Sequence, residues 1–443
     1  VACKRIGAHH EALTIIDSFS AADCTGNTAV TASPAADTAS PANPAAVTAK
    51  PVNPVAALES QARPASATQV PRQRSLATLK KSSTTNEFVM MSILACAAAI
   101  AVRAPELFGV SLENEPDFYL RNLSVLVLPF LVGYFARTRN LSAGWTARLA
   151  ALLAVSATVM NLYPFEGGDN PGDTLVLAAV HLPLLLWLAV GVAHCGGDWR
   201  NHEKRLEFVR FTGEWCIYFG LIAFGGSVLM SLTVGVFAVI GTNITDLVGL
   251  WLTPGAAAGA VVVAGWLADT RKGVLERLAP VLTRLFTPMF ALLLFAFLAA
   301  AIISGSGIEA SRELLITFDV LLVVVLALVL YSVAVRYQQA SPGIFDIAQT
   351  ALVIAALLAD VFVLSVMVDR LSELGATPNR LAALGINLVL LVNLAGAAWL
   401  YIGFLRGRIS FQRLERWQAG YAPVYAVWLT IVVAVLPLMF GFA

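Results

Sequence analysis

Charged side chains are scarce in this 443-residue sequence, at 13% against about a quarter in soluble domains. With 58% of residues apolar, too few polar groups remain to clothe a water-soluble fold of this size. A formal net charge of +1 leaves no concentrated basic surface for phosphate backbones, so nucleic acid is excluded as a partner. The five cysteines, Cys3, Cys24, Cys96, Cys195 and Cys216, show neither paired metal-ligand spacing nor the density of a disulfide framework. Phosphate-loop, HExxH and GxSxG patterns are missing as well, which removes the standard nucleotide and hydrolase readings. No cofactor is called for. The sequence begins at Val1 rather than methionine, and its first stretch has no apolar core of the kind a secretory signal carries. Membrane entry is therefore expected to rest on the apolar segments themselves.

Those segments come in blocks of about twenty, the length at which a helix rising about 1.5 Å per residue crosses a hydrocarbon layer of about 30 Å. The sequence predicts an all-α, polytopic transmembrane bundle of eleven spans: 88–104, 119–136, 145–162, 174–192, 214–240, 250–267, 286–304, 314–335, 345–368, 381–404 and 421–442. Residues 1–87 form the other region. Between about Ala21 and Ser83 the chain is rich in Ala, Pro, Thr and Ser, with prolines from Pro34 to Pro71. Such composition buries too little apolar surface to offset the entropy of ordering, so a disordered tail is expected.

Basic residues supply an independent check on the spans, because Lys and Arg gather in short cytoplasmic loops. If the tail lies inside, the inner loops and their flanks hold fifteen Lys and Arg and the outer segments five, Arg103, Arg121, Arg312, Arg370 and Arg380. The bias alternates loop by loop, which predicts a cytoplasmic N-terminus and an external C-terminus. Two inner segments, 270–286 and 406–418, mix arginines with helically spaced apolar residues and read as interfacial helices, the first kinked at Pro280.

Ionisable residues inside spans are costly and usually face the bundle interior, so they are the first candidates for chemistry. In the ninth span Asp346, Gln349 and Asp360 lie at offsets of 0, 3 and 14, which places them on one helical face. One role for Asp346 is to cap the helix and for Asp360 to pair with a neighbouring helix; the other is to handle protons, ions or substrate. Asp319 in the eighth span, His181 in the fourth and Arg380 at the start of the tenth share the same outer half. Asn387 and Asn393 of the tenth span read as interhelical hydrogen-bonding residues. Glu214 opens the fifth span after a basic run. The pattern Gly255-Ala256-Ala257-Ala258-Gly259 after Pro254 suits close helix approach. The outer loops are acidic, with Glu106, Glu113, Glu115 and Asp117 in the first.

Two stretches carry a resemblance. Phe208-Val209-Arg210-Phe211-Thr212-Gly213-Glu214-Trp215, leading to Gly225-Gly226, and Thr377-Pro378-Asn379-Arg380 together resemble a family of uncharacterised bacterial multi-pass membrane proteins, grouped under a domain of unknown function and sometimes labelled permeases. The resemblance covers about residues 88–443 and implies a bacterial inner-membrane location; it brings no catalytic residues with it.

The sequence thus points to a permease-like transporter of an unknown small molecule or ion, embedded in membrane lipid. Its pathway is expected to involve Asp360, Asp346, Gln349, Asp319, His181, Arg380 and Glu214. The alternatives are a membrane-embedded transferase acting on an envelope or lipid-linked substrate, and a non-catalytic assembly or sensory subunit.

Overall fold

The computed structural model describes residues 69–165, 171–271, 279–303, 312–336 and 339–442. The chain divides into units 1–71 and 72–443, and the architecture below is that of the second. Of the tail expected over residues 1–87, residues 1–68 lie outside the described residues; from Gln69 onward the chain is helical, so the first helix begins well before the span predicted at 88.

Eleven helices among the described residues are long and apolar enough to cross a membrane. They are α1 (Gln69–Arg103), α2 (Pro116–Thr138), α3 (Ala143–Leu162), α4 (Asp173–His194), α5 (His202–Val239), α6 (Thr253–Thr270), α7 (Ala279–Ile303), α8 (Arg312–Val335), α9 (Ile344–Leu374) and α10 (Pro378–Leu405), followed by a composite eleventh. That last span runs through α11 (Phe411–Gly420), α12 (Ala422–Thr430), a short π-helical stretch and α13 (Leu436–Met439). The fold is therefore an all-α polytopic membrane bundle. Its outward surface carries side chains no water-facing helix would present, such as Phe224, Leu229, Leu292 and Trp399, each more than 60% exposed. Lipid is the solvent that makes such exposure favourable.

Two apolar cores organise the bundle. One is shared by α7 to α11, with Leu294, Leu322, Val329, Leu352, Leu390 and Leu414 fully or almost fully buried. The other joins α2, α3, α4 and the start of α5 through Leu131, Phe135, Leu182, Leu186 and Phe211. Small residues set the α1–α6 contact. A Cβ added at Gly259 would meet the Ala95 carbonyl oxygen at 3.4 Å, and one at Gly255 the Ala99 side chain at 3.7 Å. The GxxxG pattern thus packs helices, as its spacing suggested. Pro254 follows directly on a π-helical stretch, Leu247–Leu252, so it stands inside a continuous helical run whose widened turn accommodates its missing N–H.

Two boundaries differ from the sequence reading for physical reasons. The fifth span was placed at 214–240, but α5 starts at His202 and carries its basic run inside the helix, capped by Asn201, whose side chain accepts from the Glu203 N–H at 2.9 Å. Of the interfacial helix expected over 270–286, residues 272–278 lie outside the described residues. The kink expected at Pro280 falls at the edge of that stretch; from Ala279 onward the chain is helical as part of α7.

The other expected interfacial helix, 406–418, enters the bundle instead. Gly407 adopts a left-handed φ of +68° and turns the chain, and α11 then runs back along α10. The Phe404 and Phe411 rings lie 5.3 Å apart, Trp417 Nε1 donates to the Asn393 carbonyl at 3.2 Å, and the Tyr421 hydroxyl donates to the Val389 carbonyl at 3.0 Å. Phe411, Leu414, Glu415 and Gln418 are buried while Arg413 and Arg416 stay exposed. The amphipathic spacing was real, but the apolar stripe faces protein rather than lipid headgroups.

Candidate functional site

At the start of α9, Asp346 is held from three sides. Arg336, just beyond the end of α8, donates through Nε to Oδ1 at 2.7 Å and through Nη2 to Oδ2 at 3.0 Å. The Gly343 N–H donates to Oδ2 at 2.8 Å, so Asp346 also caps the helix from its third position. Arg336 reaches the carbonyls of Ala340 and Ser341 as well, and its guanidinium lies over the Phe404 and Phe411 rings, 4.8 and 4.3 Å from their centroids. Side-chain exposures of 11% and 6% mark this pair as buried. It locks the α8–α9 turn to α10 and α11.

One turn on, Gln349 donates through Nε2 to Thr287 Oγ1 of α7 at 2.7 Å. Its position, 1% exposed, makes it an interhelical tie. Asp360 stands about 21 Å beyond Asp346 along the helix at the standard rise. It is fully buried, and neither carboxylate oxygen has a hydrogen-bond partner among the described residues. Its flanks are Ala356, Ala359 and Val363, all buried.

Further polar groups of this region come from α8 and α10. Asp319 of α8 lies close enough for its charge to act on Asp360. Asn387 of α10 donates through Nδ2 to Asp319 Oδ1 at 2.7 Å and to the Ala383 carbonyl at 2.9 Å. Three antiparallel neighbours thus bring two carboxyls and an amide together inside the spans. Asn393 bonds across helices too, donating to Gln418 Oε1 at 3.3 Å.

The remaining sequence candidates stand elsewhere. The His181 ring donates through Nδ1 to the Leu177 carbonyl of its own helix at 2.8 Å. Arg380 donates to the carbonyls of Leu374 and Gly375 at 2.8 and 2.7 Å, clamping the α9–α10 turn, while Thr377 caps α10. In the first outer loop Glu106 pairs with Arg103 at 2.6 Å.

Glu214, 7% exposed, lies in a second polar place. A cavity of about 240 Å³ opens where α4 ends, α5 begins and α6 ends, lined by His194, Glu207, Arg210, Phe211, Glu214 and Asp269. This is the side of the bundle whose loops carry the basic residues. Asp269 is held by Arg139 Nη2 at 2.5 Å and by the Tyr134 hydroxyl at 3.3 Å. Arg210 donates through Nε to the Ala334 carbonyl of α8. The Trp187 and Phe211 rings stack, and Trp187 lies 4.5 Å from Trp215. Nearby Cys195 is no nucleophile at neutral pH, because burial pushes its thiol up to about 12.

His194, Asp269, Tyr134 and Arg139 were not singled out from sequence. The spacing of Glu207, Arg210, Phe211 and Glu214 at positions i, i+3, i+4 and i+7 was the available signal, since it puts all four on one face of α5. Among the described residues no group of three His, Cys, Asp or Glu side chains could hold a metal ion.

Fold and site together define a polytopic, highly apolar helical membrane protein. Comparisons with protein-family models, curated proteins and solved structures return no match, so the family resemblance and the bacterial origin it implies have no support beyond the motifs themselves.

Proposed function

We propose that the chain is a permease, moving a small solute or ion across the membrane with Asp360 as its coupling residue. The observation that carries this reading is the full burial of Asp360 with no hydrogen-bond partner for either oxygen among the described residues. A carboxyl left bare inside a bundle costs free energy, and such residues in membrane proteins mark ion and proton paths. Asp319 and Asn387 extend the polar place toward the outer ends of α8 and α10. Gln349 belongs to the same face of α9, and the cavity at Glu214 is a separate polar place at the basic-loop side. Asp346 and Arg380 have partners across the α8–α9 and α9–α10 turns and hold those helices around the path, whereas the His181 ring bonds to a carbonyl of its own helix. A transferase would need a reactive cluster at the outer face, and a scaffold would pair its buried charges; Asp360 fits neither.

The distribution of basic residues supports a cytoplasmic N-terminus and an external C-terminus. Reporters fused after Asn114 and after Asn140 are expected to report external and cytoplasmic locations respectively; a single compartment for both contradicts that orientation. Transport is tested by solid-supported-membrane recording on proteoliposomes given concentration jumps of protons, sodium and a panel of small amines and acids. At least one jump is expected to evoke a current in the native protein that is lost in Asp360→Asn. Currents of equal size in the variant would contradict the coupling role.

A further inference from the structure

We propose that the ion coupled at Asp360 is a proton, and that it arrives from the outer side by way of Asp319. As a statement about coupling this rests on the permease reading; as a statement about where a proton binds it does not.

Unfilled acceptors mark the place. Both oxygens of Asp360 and Oδ1 of Asn387 are buried without a donor among the described residues, and both side chains are 0% exposed. A demand of one kind thus gathers between α8, α9 and α10, and what it lacks is hydrogen or positive charge. The neighbouring helices bring no basic side chain to meet it. α7, α8 and α10 pack on α9 here through Leu294, Phe297, Leu322 and Leu390. Among the described residues Asp319 is the one titratable group whose charge acts on Asp360. Arg336 is bound to Asp346 at the far start of α9, and Arg380 is bound to the carbonyls of the α9–α10 turn. Asp369 and Arg370 lie more than two turns further along α9.

A proton fits this setting better than a metal cation. Hard cations collect several oxygen ligands, which in membrane proteins are often carbonyls of unwound helix. α8, α9 and α10 run unbroken through this level, so their carbonyls stay in their own ladders. Among the described residues no group of three His, Cys, Asp or Glu side chains could hold a metal ion either. A proton needs a single oxygen. Bound to Asp360, it removes the buried charge and turns one acceptor into a donor.

Position gives the route. Asn387 Nδ2, which donates to Asp319, also lies 3.6 Å from Met367 Sδ. Met367 stands two turns, about 10.5 Å of rise, beyond Asp360 toward the outer end of α9 in the orientation given above. Asp319 lies near the start of α8 and is partly exposed, whereas Asp360 is fully buried, so access falls inward from one carboxyl to the other. In the transfer an O–H bond on Asp319 breaks and one forms on Asp360. The negative charge left on Asp319 is then held by the Asn387 amide.

The test reads proton binding and charge movement separately, on the full chain. In detergent, pH-difference infrared spectra are expected to show a titrating protonated-carboxyl band that is lost in Asp360→Asn, persists in Asp319→Asn and is indifferent to sodium at fixed pH. If Asp360→Asn does not fold, a shift of the band in Asp360→Glu decides its origin. In proteoliposomes, pH jumps at constant sodium are expected to evoke a current, and sodium jumps at constant pH none. Asp319→Asn should slow the decay of that current several-fold while moving the same total charge; a merely structural role would lower the charge and leave the rate alone. No titrating band, a band unaltered by both Asp360 variants, or its loss on adding sodium would overturn the proton site. Equal decay in native and Asp319→Asn proteins would overturn the route. Sodium or solute currents that vanish in Asp360→Asn, without a titrating band, uphold the permease and overturn the proton. A titrating Asp360 band with no current on any jump upholds the proton site and overturns the permease.

Discussion

Two carboxylates on one helix, fourteen residues apart, have opposite surroundings. Asp346 receives three N–H donors, two from Arg336 and one from the Gly343 backbone, at the end of α9 where a helix N-terminus also favours negative charge. Asp360, about 21 Å deeper, receives none from the described residues and sits among alanines and a valine. Both are buried, so burial alone does not separate structure from function. The presence of partners does. A satisfied buried carboxylate ties helices together, whereas a bare one has an unmet demand for a proton, a cation or a moving donor.

The largest effect that sharpens this contrast is expected from Asp346→Ala. It strands the Arg336 guanidinium in a buried site, and breaking such a pair costs about 3–5 kcal/mol. Thermal unfolding in detergent should show a large drop in the midpoint; an unchanged midpoint would remove the structural role. Arg336→Lys keeps the charge but loses the two-pronged donor and the broad stacking face, with an expected loss of about 1–2 kcal/mol. Gln349→Leu removes both the Thr287 bond and an amide oxygen that has no partner among the described residues, so its cost should stay within about 1 kcal/mol in the same assay. Asp360→Asn should change the midpoint least of all. A marked fall would mean that Asp360 has a stabilising partner and belongs with Asp346.

Much of this contrast was legible in the sequence, because helical phase is. Offsets of 0, 3 and 14 put Asp346, Gln349 and Asp360 on one face before any coordinates, and all three are buried. Twenty-residue apolar blocks likewise marked the eleven spans. The partners were not legible. Arg336 is ten residues from Asp346 across a turn, and Asn387 is sixty-eight residues from Asp319; only packing brings such pairs together. The same limit explains the segment 406–418. Its amphipathic spacing shows that one face seeks an apolar surface, but not whether that surface is lipid or α10. At the loop-side cavity the α5 face was readable, while Asp269 and His194 arrive from other helices.

The central claim, that the bare carboxylate acts while the satisfied one holds, is tested most directly by charge movement in proteoliposomes carrying native protein or Asp360→Asn at matched folded amounts. Proton, sodium and amine jumps are applied to both. The account predicts a transient current in the native protein and its loss in the variant, whose unfolding midpoint is unchanged. Equal currents in the two proteins, or a variant that loses current only because it no longer folds, would contradict it.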